Sequence, residues 1–511
     1  MAGVAAVFGF APFEMPLLPL AALAVLFLAW NAQSHARAAA AAGFAFGLGM
    51  YGAGVSWVYV ALAGFGEMPP LLAALATLVF VAYVALWPAL AGYVAVRCTR
   101  PGTLGRVLAA AGAWTLAEWT RGWLFTGFPW LAVGYAQLPG SFLAGLAPTG
   151  GVYLVSLGCA VTAAVIARCI EALVLPRPAR ALAAPLALGI TVCVAGALLG
   201  PIGWTRPGDA PLTVSLLQGN VSEEQKFDPA FREQTFHLYA ELAAQSRGRL
   251  VVLPESAFPM FAQQVPASVV DDLMARAGER EGLVLVGLFT AERPLPGSGD
   301  PRYYNTVAAL GPDAVTLYRK RHLVPFGESI PFKALLGPLI DSVLAIPLAD
   351  QTAGDPDQAP FEVAGHRIAV NICYEDAFGS ELIPAARQAD ILVNVTNDAW
   401  YGQSIAAWQH NQIAAMRALE LGRPMLRATN TGITSVIGID GRVQASLPWF
   451  RRGILEVTVR GQQGFTPYVR FGDAPALALC ALLVLAPAVI SRRRQRPAPG
   501  TATTASAPRV A

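Results

Sequence analysis

The feature that most constrains this chain is the uneven distribution of its charge. Residues 1–200 hold only four acids (Glu14, Glu67, Glu118, Glu171) and eight arginines, although the chain has 36 basic and 33 acidic side chains in all. A stretch that poor in charge cannot wrap itself in a water-facing surface. It reads instead as segments solvated by lipid, where a hydrocarbon core about 30 Å thick calls for about 20 apolar residues per helix. Residues 15–31, 38–62, 70–96, 106–125, 147–168, 181–200 and 474–491 each read as spanning helices. Pro16 and Pro19 sit near the start of the first, where a helix tolerates proline best. The apolar opening 1–10 is short for a span and is broken by Ala11-Pro12, so it reads either as a clipped first helix or as a wrongly chosen start. No positive stretch precedes the apolar run, which argues against a cleaved signal peptide.

The water-like part lies between these helices. The expected organisation is a membrane domain over 1–205, with seven helices and the first truncated. A globular domain over 211–465, a C-terminal transmembrane helix over 474–491 and a disordered cytoplasmic tail over 492–511 follow. Arg37, then Arg97, Arg100 and Arg106, then Arg168, Arg177 and Arg180, and finally Arg492–Arg494 and Arg496 fall in alternate connections. Positive residues stay on the cytoplasmic side, so the globular domain is expected outside the cytoplasm. With 511 residues, 14% charged against about 25% in an average soluble protein, and a net charge of +3, the chain is neither a disordered scaffold nor a basic nucleic-acid binder. Within 211–465, apolar runs of strand length alternate with amphipathic helical stretches such as 229–245, 267–281, 380–387 and 406–421, an α/β rhythm.

Three residues stand out chemically. Of six cysteines only Cys373 lies in the globular domain, so it has no partner there for a structural disulfide. It ends the apolar run 367–373, where the chain turns into Tyr374-Glu375-Asp376. A thiol at a strand end is either a packed core cysteine or an accessible nucleophile beside backbone N–H groups able to stabilise an anion. Only three lysines (Lys226, Lys320, Lys333) occur in the chain. Lys320 nevertheless stands between Arg319 and Arg321, which suggests a task that a guanidinium cannot perform, the alternative being a solvated member of a basic cluster. Glu255 follows the apolar run Val251-Val-Leu-Pro254, where burial would push a carboxylate toward a usable base; a helix-cap role beside Ser256 is the other reading. The five histidines show no metal-ligand spacing, and no Walker A, G-x-S-x-G or dinucleotide fingerprint occurs, so no metal and no cofactor is expected. Glu118 and Arg121, three apart on one helix, are candidates for function or for a pair at the headgroups, and Trp123–Trp130 reads as an aromatic belt at the external interface.

Glu255, Lys320 and Cys373, in that order and each after a strand, resemble the nitrilase superfamily. Combined with the membrane helices, the runs Ser56-Trp-Val-Tyr59, Thr126-Gly-Phe-Pro-Trp130, Gln218-Gly-Asn220, His322-Leu-Val-Pro-Phe-Gly-Glu328, Asn397-Asp-Ala-Trp400-Tyr-Gly402 and Thr429-Asn-Thr-Gly432 make the chain similar to the apolipoprotein N-acyltransferase family. The resemblance implies a multi-pass α-helical membrane domain joined to an α-β-β-α sandwich. It implies an enzyme of the bacterial inner membrane with its catalytic domain in the periplasm, a phospholipid acyl donor, a diacylglyceryl-modified apolipoprotein acceptor, and a monomer with no nucleic-acid partner. It casts Glu255 as base, Lys320 as oxyanion donor and Cys373 as the thioester-forming nucleophile. Glu328 and Glu375 would orient the lysine and the amine, and Tyr374 and Trp400 would shape the acyl and lipid entrance. Phe227 stands where the family commonly has tryptophan. The competing readings are a membrane-tethered amidase, in which water accepts the acyl group, and a transporter or receptor whose outer domain only binds.

Overall fold

In the computed structural model the residues described are 1–174, 180–292, 301–330 and 350–493. Arg177, Lys333 and the expected tail beyond Arg493 lie outside them. The helical half opens with α1 (Ala2–Val7), α2 (Leu17–Ala32), α3 (Ala36–Gly54) and α4 (Trp57–Val60), which runs into a π-turn over Ala61–Phe65. It continues with α5 (Pro70–Cys98), α6 (Leu104–Arg121), α7 (Ala147–Val174) and α8 (Arg180–Leu199). Each of the seven apolar segments expected from the sequence is helical. Pro70–Cys98, Phe142–Val174 and Leu182–Leu199 are long and apolar enough to cross a membrane; Ala36–Gly54 and Trp57–Phe65, bent by 50°, make a fourth if they are one span. Leu17–Ala32 and Ala474–Ile490 are shorter apolar helices. The segment at 106–125 departs from expectation. It is the helix α6, which carries Arg106, Glu118 and Arg121 buried among its neighbours rather than facing lipid. The opening segment forms only the six residues of α1, packed so tightly that a Cβ on Gly3 would stand 2.0 Å from the Phe46 carbonyl oxygen.

The second half is two six-stranded sheets packed face to face. β1 (Arg206–Gln218), β2 (Leu250–Val252), β3 (Leu283–Glu292), β4 (Arg302–Leu310), β5 (Val315–Arg319) and β12 (Gly453–Gln463) form the first, in the order β12-β1-β2-β3-β4-β5. β6 (Phe361–Val363), β7 (His366–Ile372), β8 (Ile391–Thr396), β9 (Met425–Thr429), β10 (Ser435–Ile437) and β11 (Val443–Ser446) form the second, in the order β11-β10-β9-β8-β7-β6. The central strands β1-β2-β3 and β7-β8-β9 are parallel. Parallel strands are covered on both faces and so read as continuous apolar runs, which is why these were legible in sequence. No alternation of buried and exposed positions runs along β2 or β8, whose residues are all buried. Val214, Leu216, Val252 and Leu285 of one sheet meet Ile368, Val370, Ile372, Val393 and Leu426 of the other in one apolar layer.

Helices flank the sheets. α9 (Glu223–Lys226) is a single turn after β1, and α10 (Arg232–Gln245) and α11 (Ala267–Glu279) cover the first sheet. α12 (Gly379–Gln388) and α13 (Ala406–Leu421) cover the second. The short α14 (Pro467–Phe471) then leads into α15 (Ala474–Arg493), which packs against α6. The outer face of α13 does not meet water, whereas Ser380, Arg387 and Gln388 leave one side of α12 exposed. Leu382, Ile413, Met416 and Leu421 share one apolar cluster with Trp114, Trp130, Tyr135 and Val152 of the helical half. Burying each such side chain stabilises by about 1.5–3 kcal/mol, so α13, packed on α7, is also the seam between the halves.

Candidate active site

Strand ends from both sheets deliver the three side chains singled out by the sequence. Glu255 follows β2 in a turn where Ser256 takes φ +47°. Lys320 follows β5, with its N–H bonded to the carbonyl of Asn305 on β4 at 2.8 Å. Cys373 is the first residue after β7 and sits at φ +52°, opening a short 3-10 turn to Ala377. A side chain in that left-handed region costs of order 1–3 kcal/mol and persists only where the surroundings impose it. Here the Cys373 carbonyl accepts from Asn394 Nδ2 at 3.1 Å and faces His410 Nε2 at 3.3 Å.

The polar contacts are dense and dry. Lys320 is 1% exposed, and its Nζ lies 2.8 Å from Glu328 Oε1 and 3.5 Å from Glu255 Oε1. Asn305 Nδ2 donates to both carboxylates, at 2.8 Å to Glu255 and 3.1 Å to Glu328. The other Glu255 oxygen accepts the Asn397 N–H at 2.9 Å. Burial alone would push the Lys320 ammonium toward its neutral form, but Glu328, Glu255 and the neighbouring Cys373 hold it above the ordinary lysine range. Burial and the Glu255 charge push the Cys373 thiol well up, against the opposing pull of Lys320. A thiol held in this way needs a base to take its proton before the sulfur can attack, and a carboxylate stands within the same electrostatic neighbourhood.

The other residues singled out in the sequence take distinct places. Glu328 binds Lys320 directly. Glu375 does not bond the lysine side chain; its two oxygens collect the N–H groups of Arg321, His322 and Ile372 and the Tyr318 hydroxyl, tying the lysine's segment to the cysteine's turn. Tyr374 reaches into the helical half, donating to the Gly127 carbonyl at 3.0 Å and stacking near Trp130 at 6.3 Å. Trp400 meets Phe65 edge-on at 6.1 Å, again across the seam. Phe227 is half-buried at the end of α9. In the stretch read as an aromatic belt, Trp123 and Phe125 are exposed, but Trp130 is buried and takes part in the support of the site. Arg121 holds that loop through the carbonyls of Phe128 and Trp130, and Glu118 accepts from the Val133 N–H.

Sequence reasoning did not single out Asn305, Asn397, Lys226 or His410. Asn305 carries no charge and stands within an apolar run, so nothing local marks it, and Asn397 entered only as the first residue of a run similar to the family's, with no role attached. The scarcity argument applied to Lys320 applies equally to Lys226, which is buried with its Nζ 3.1 Å from the Glu255 carbonyl oxygen. Both ring nitrogens of His410 face carboxylates at 2.9 Å, Nδ1 toward Asp398 and Nε2 toward Asp376, and Arg427 neutralises the pair from the other side. A ring flanked by two acceptors must donate twice, so it is an imidazolium. Although burial opposes it, Asp376 and Asp398 raise its pKa from 6.5 to about 9.

A group whose folded pKa exceeds its unfolded value stabilises fully below the unfolded value and loses that contribution as pH climbs through the folded one. The thermal midpoint is therefore expected to fall between pH 6.5 and 9, with linkage supplying about 3 kcal/mol. A His410→Gln variant, less stable at neutral pH, should lose most of that slope when melting is followed by near-UV circular dichroism. An equal slope in both would assign it elsewhere.

Two sheets back to back, with a glutamate, a lysine and a cysteine meeting at their strand ends, define a nitrilase-like catalytic domain, here fused to apolar helices. Residues 213–465 match the carbon-nitrogen hydrolase family, and residues 2–165 match the apolipoprotein N-acyltransferase N-terminal domain. The chain is 49% identical over 485 residues to the apolipoprotein N-acyltransferase of Nitrosomonas europaea, covering 95% of each chain. It is 43% identical over 485 residues to that of Methylococcus capsulatus, covering 94% of this chain and 93% of the relative. The chain belongs to the apolipoprotein N-acyltransferase family and is an acyltransferase.

Proposed function

We propose that the enzyme moves a fatty acyl chain from a phospholipid to the α-amine of an N-terminal diacylglyceryl-cysteine, through a thioester on Cys373. The observation that carries this reading is the buried contact of Lys320 with Glu255 beside the Cys373 thiol. Glu255 takes the Sγ proton as sulfur attacks the ester carbonyl carbon. Lys320, with N–H groups of the cysteine's turn, stabilises the oxyanion. The C–O bond breaks, the protonated Glu255 returns its proton to the departing lysophospholipid alkoxide, and the acyl chain stays on sulfur. The acceptor amine then attacks the thioester and Glu255 takes the amine's proton. The C–S bond breaks, and the proton is passed to the thiolate. A thioester suits this second step because amines attack it faster than the oxygen ester from which it came.

Both substrates use the same sulfur in turn, so the kinetics are ping-pong. Both are anchored in a bilayer, and the apolar helices hold the site at that surface, raising the effective concentration of lipid. The arginine-bearing connections support an inner-membrane enzyme with its catalytic half on the periplasmic side, acting as a monomer. The test is to supply purified enzyme with phospholipid vesicles and a synthetic diacylated lipopeptide. N-acylated lipopeptide is expected; free fatty acid with unmodified peptide would instead indicate the hydrolase reading.

A further inference from the structure

The segment between β1 and α10 belongs to neither sheet, yet its polar groups close around Glu255. The Asn220 N–H bonds the Asn430 carbonyl at 2.9 Å, and the Val221 N–H bonds the Asn430 side chain at 3.0 Å. The segment is thus tied to the turn after β9. On α9, Glu223 and Lys226 lie three residues apart, on one face. Glu223 Oε2 accepts from Asn397 Nδ2 at 2.9 Å, and the Asn397 N–H is the donor to Glu255 Oε2. Lys226 Nζ donates to the carbonyl oxygen of Glu255 itself. One helical turn therefore grips the candidate base twice, through its main chain by Lys226 and through its carboxylate by way of Asn397.

Lys226 is an expensive way to make one hydrogen bond. The residue is 3% exposed, and among the described residues its ammonium has no carboxylate oxygen within 4.0 Å. Burying a cation without a contact ion pair is costly, and burial accordingly lowers its pKa, while Glu223, Glu255 and Cys373 pull the other way. With only three lysines among 36 basic side chains, two stand buried on either side of Glu255.

We propose that Lys226 is a positioning residue that fixes the Glu255 turn and supplies a second buried positive charge to the surroundings of the Cys373 sulfur. The inference rests on the assignment of Cys373 and Glu255 as nucleophile and base, but not on the identity of either substrate. Removing a cation from beside a thiolate raises the thiol's pKa, so the charge has a signature that lost packing lacks.

The experiment measures the rate of Cys373 alkylation by iodoacetamide against pH in the full-length enzyme in detergent micelles, with Cys373→Ala as the blank. Lys226→Gln keeps a donor without the charge, and Lys226→Met keeps the stem without either. The titration midpoint is expected to move upward in both, with alkylation about tenfold slower than the parent's at a fixed pH below the midpoint. A midpoint equal to the parent's in Lys226→Gln overturns the proposal, whatever happens to turnover or melting temperature. If Lys226→Gln does not fold, the Lys226→Met midpoint decides in the same way. Parent enzyme that alkylates normally but yields no N-acylated lipopeptide would instead count against the acyl-transfer reading alone.

Discussion

Cys373→Ala is expected to carry no acyl group after incubation with phospholipid, whereas the parent gains the mass of one fatty acyl chain per protein. Loss of a nucleophile that works as a unit with its base typically lowers turnover by on the order of 10⁶, so acylation of a lipopeptide should fall below detection. The folding penalty should be small. The side chain is buried at the edge of the sheet-to-sheet layer, and alanine removes a single sulfur, for which about 1 kcal/mol is typical. Intact-protein mass spectrometry of parent and variant, each given lipid but no acceptor, reads the result. An acyl mass on the variant would move the nucleophile elsewhere, and none on the parent would remove the covalent intermediate altogether.

Lys320→Met should have the second-largest effect, from two causes that add. The first is chemical: loss of one oxyanion donor costs about 2.7–4 kcal/mol in the barrier, or about 10²–10³ in rate. The second is electrostatic. Glu255 and Glu328 both face the Lys320 ammonium, and Asn305 bridges them. Without it, two buried carboxylates share one pocket, one of them takes up a proton, and the base is compromised. Breaking such a buried pair typically destabilises by about 3–5 kcal/mol. Initial rates of lipopeptide acylation should therefore drop at least about 10³-fold, with a lowered melting temperature. Lys320→Arg should restore little, because a planar fork cannot replace a compact ammonium held among these groups. Activity within about tenfold of the parent, far short of the loss that removal of an oxyanion donor brings, would show that Lys320 does not act at the reacting oxygen.

Much of the architecture could be read from the chain because burial writes itself into local pattern. The central strands are apolar throughout because parallel strands are covered on both faces, and α11 and α12 carry the expected amphipathic period; α13, expected to be amphipathic, is instead buried at almost every position because the other half covers it. Where pattern failed, the cause was tertiary. β12 alternates as a half-buried strand does, but its partner β1 lies at the opposite end of the domain, so its place in the sheet is set by contacts that no local pattern supplies. β6 is only three residues long. α6 resembles a lipid-facing span in composition but is surrounded by other helices, which is how Arg106 and Glu118 are accommodated.

The site divides along the same line. Glu255, Lys320 and Cys373 were conspicuous because each is chemically out of place where it stands: an acid after an apolar run, a lysine in an arginine-rich chain, a solitary thiol. Asn305 and Asn397 were not, because an amide announces its role only through what it touches in the folded chain. Glu375 entered through the family resemblance alone. Its work, gathering three main-chain N–H groups and a tyrosine hydroxyl, depends on a path of chain that no local reading supplies.

The seam along α13 bears on how this enzyme can be handled. α13 belongs to the outer skin of the sandwich, yet it packs on α7, and its Ile413 and Met416 share one apolar cluster with tryptophans and tyrosines of the other half. A fragment cut at Arg206 would bare that greasy face and also forfeit the carbonyl that anchors Tyr374 beside the sulfur. The catalytic half is thus not a passenger on a lipid anchor. A catalytic half that stands alone in water needs a different coat on α13, and repainting that coat is the route to a soluble version of the enzyme.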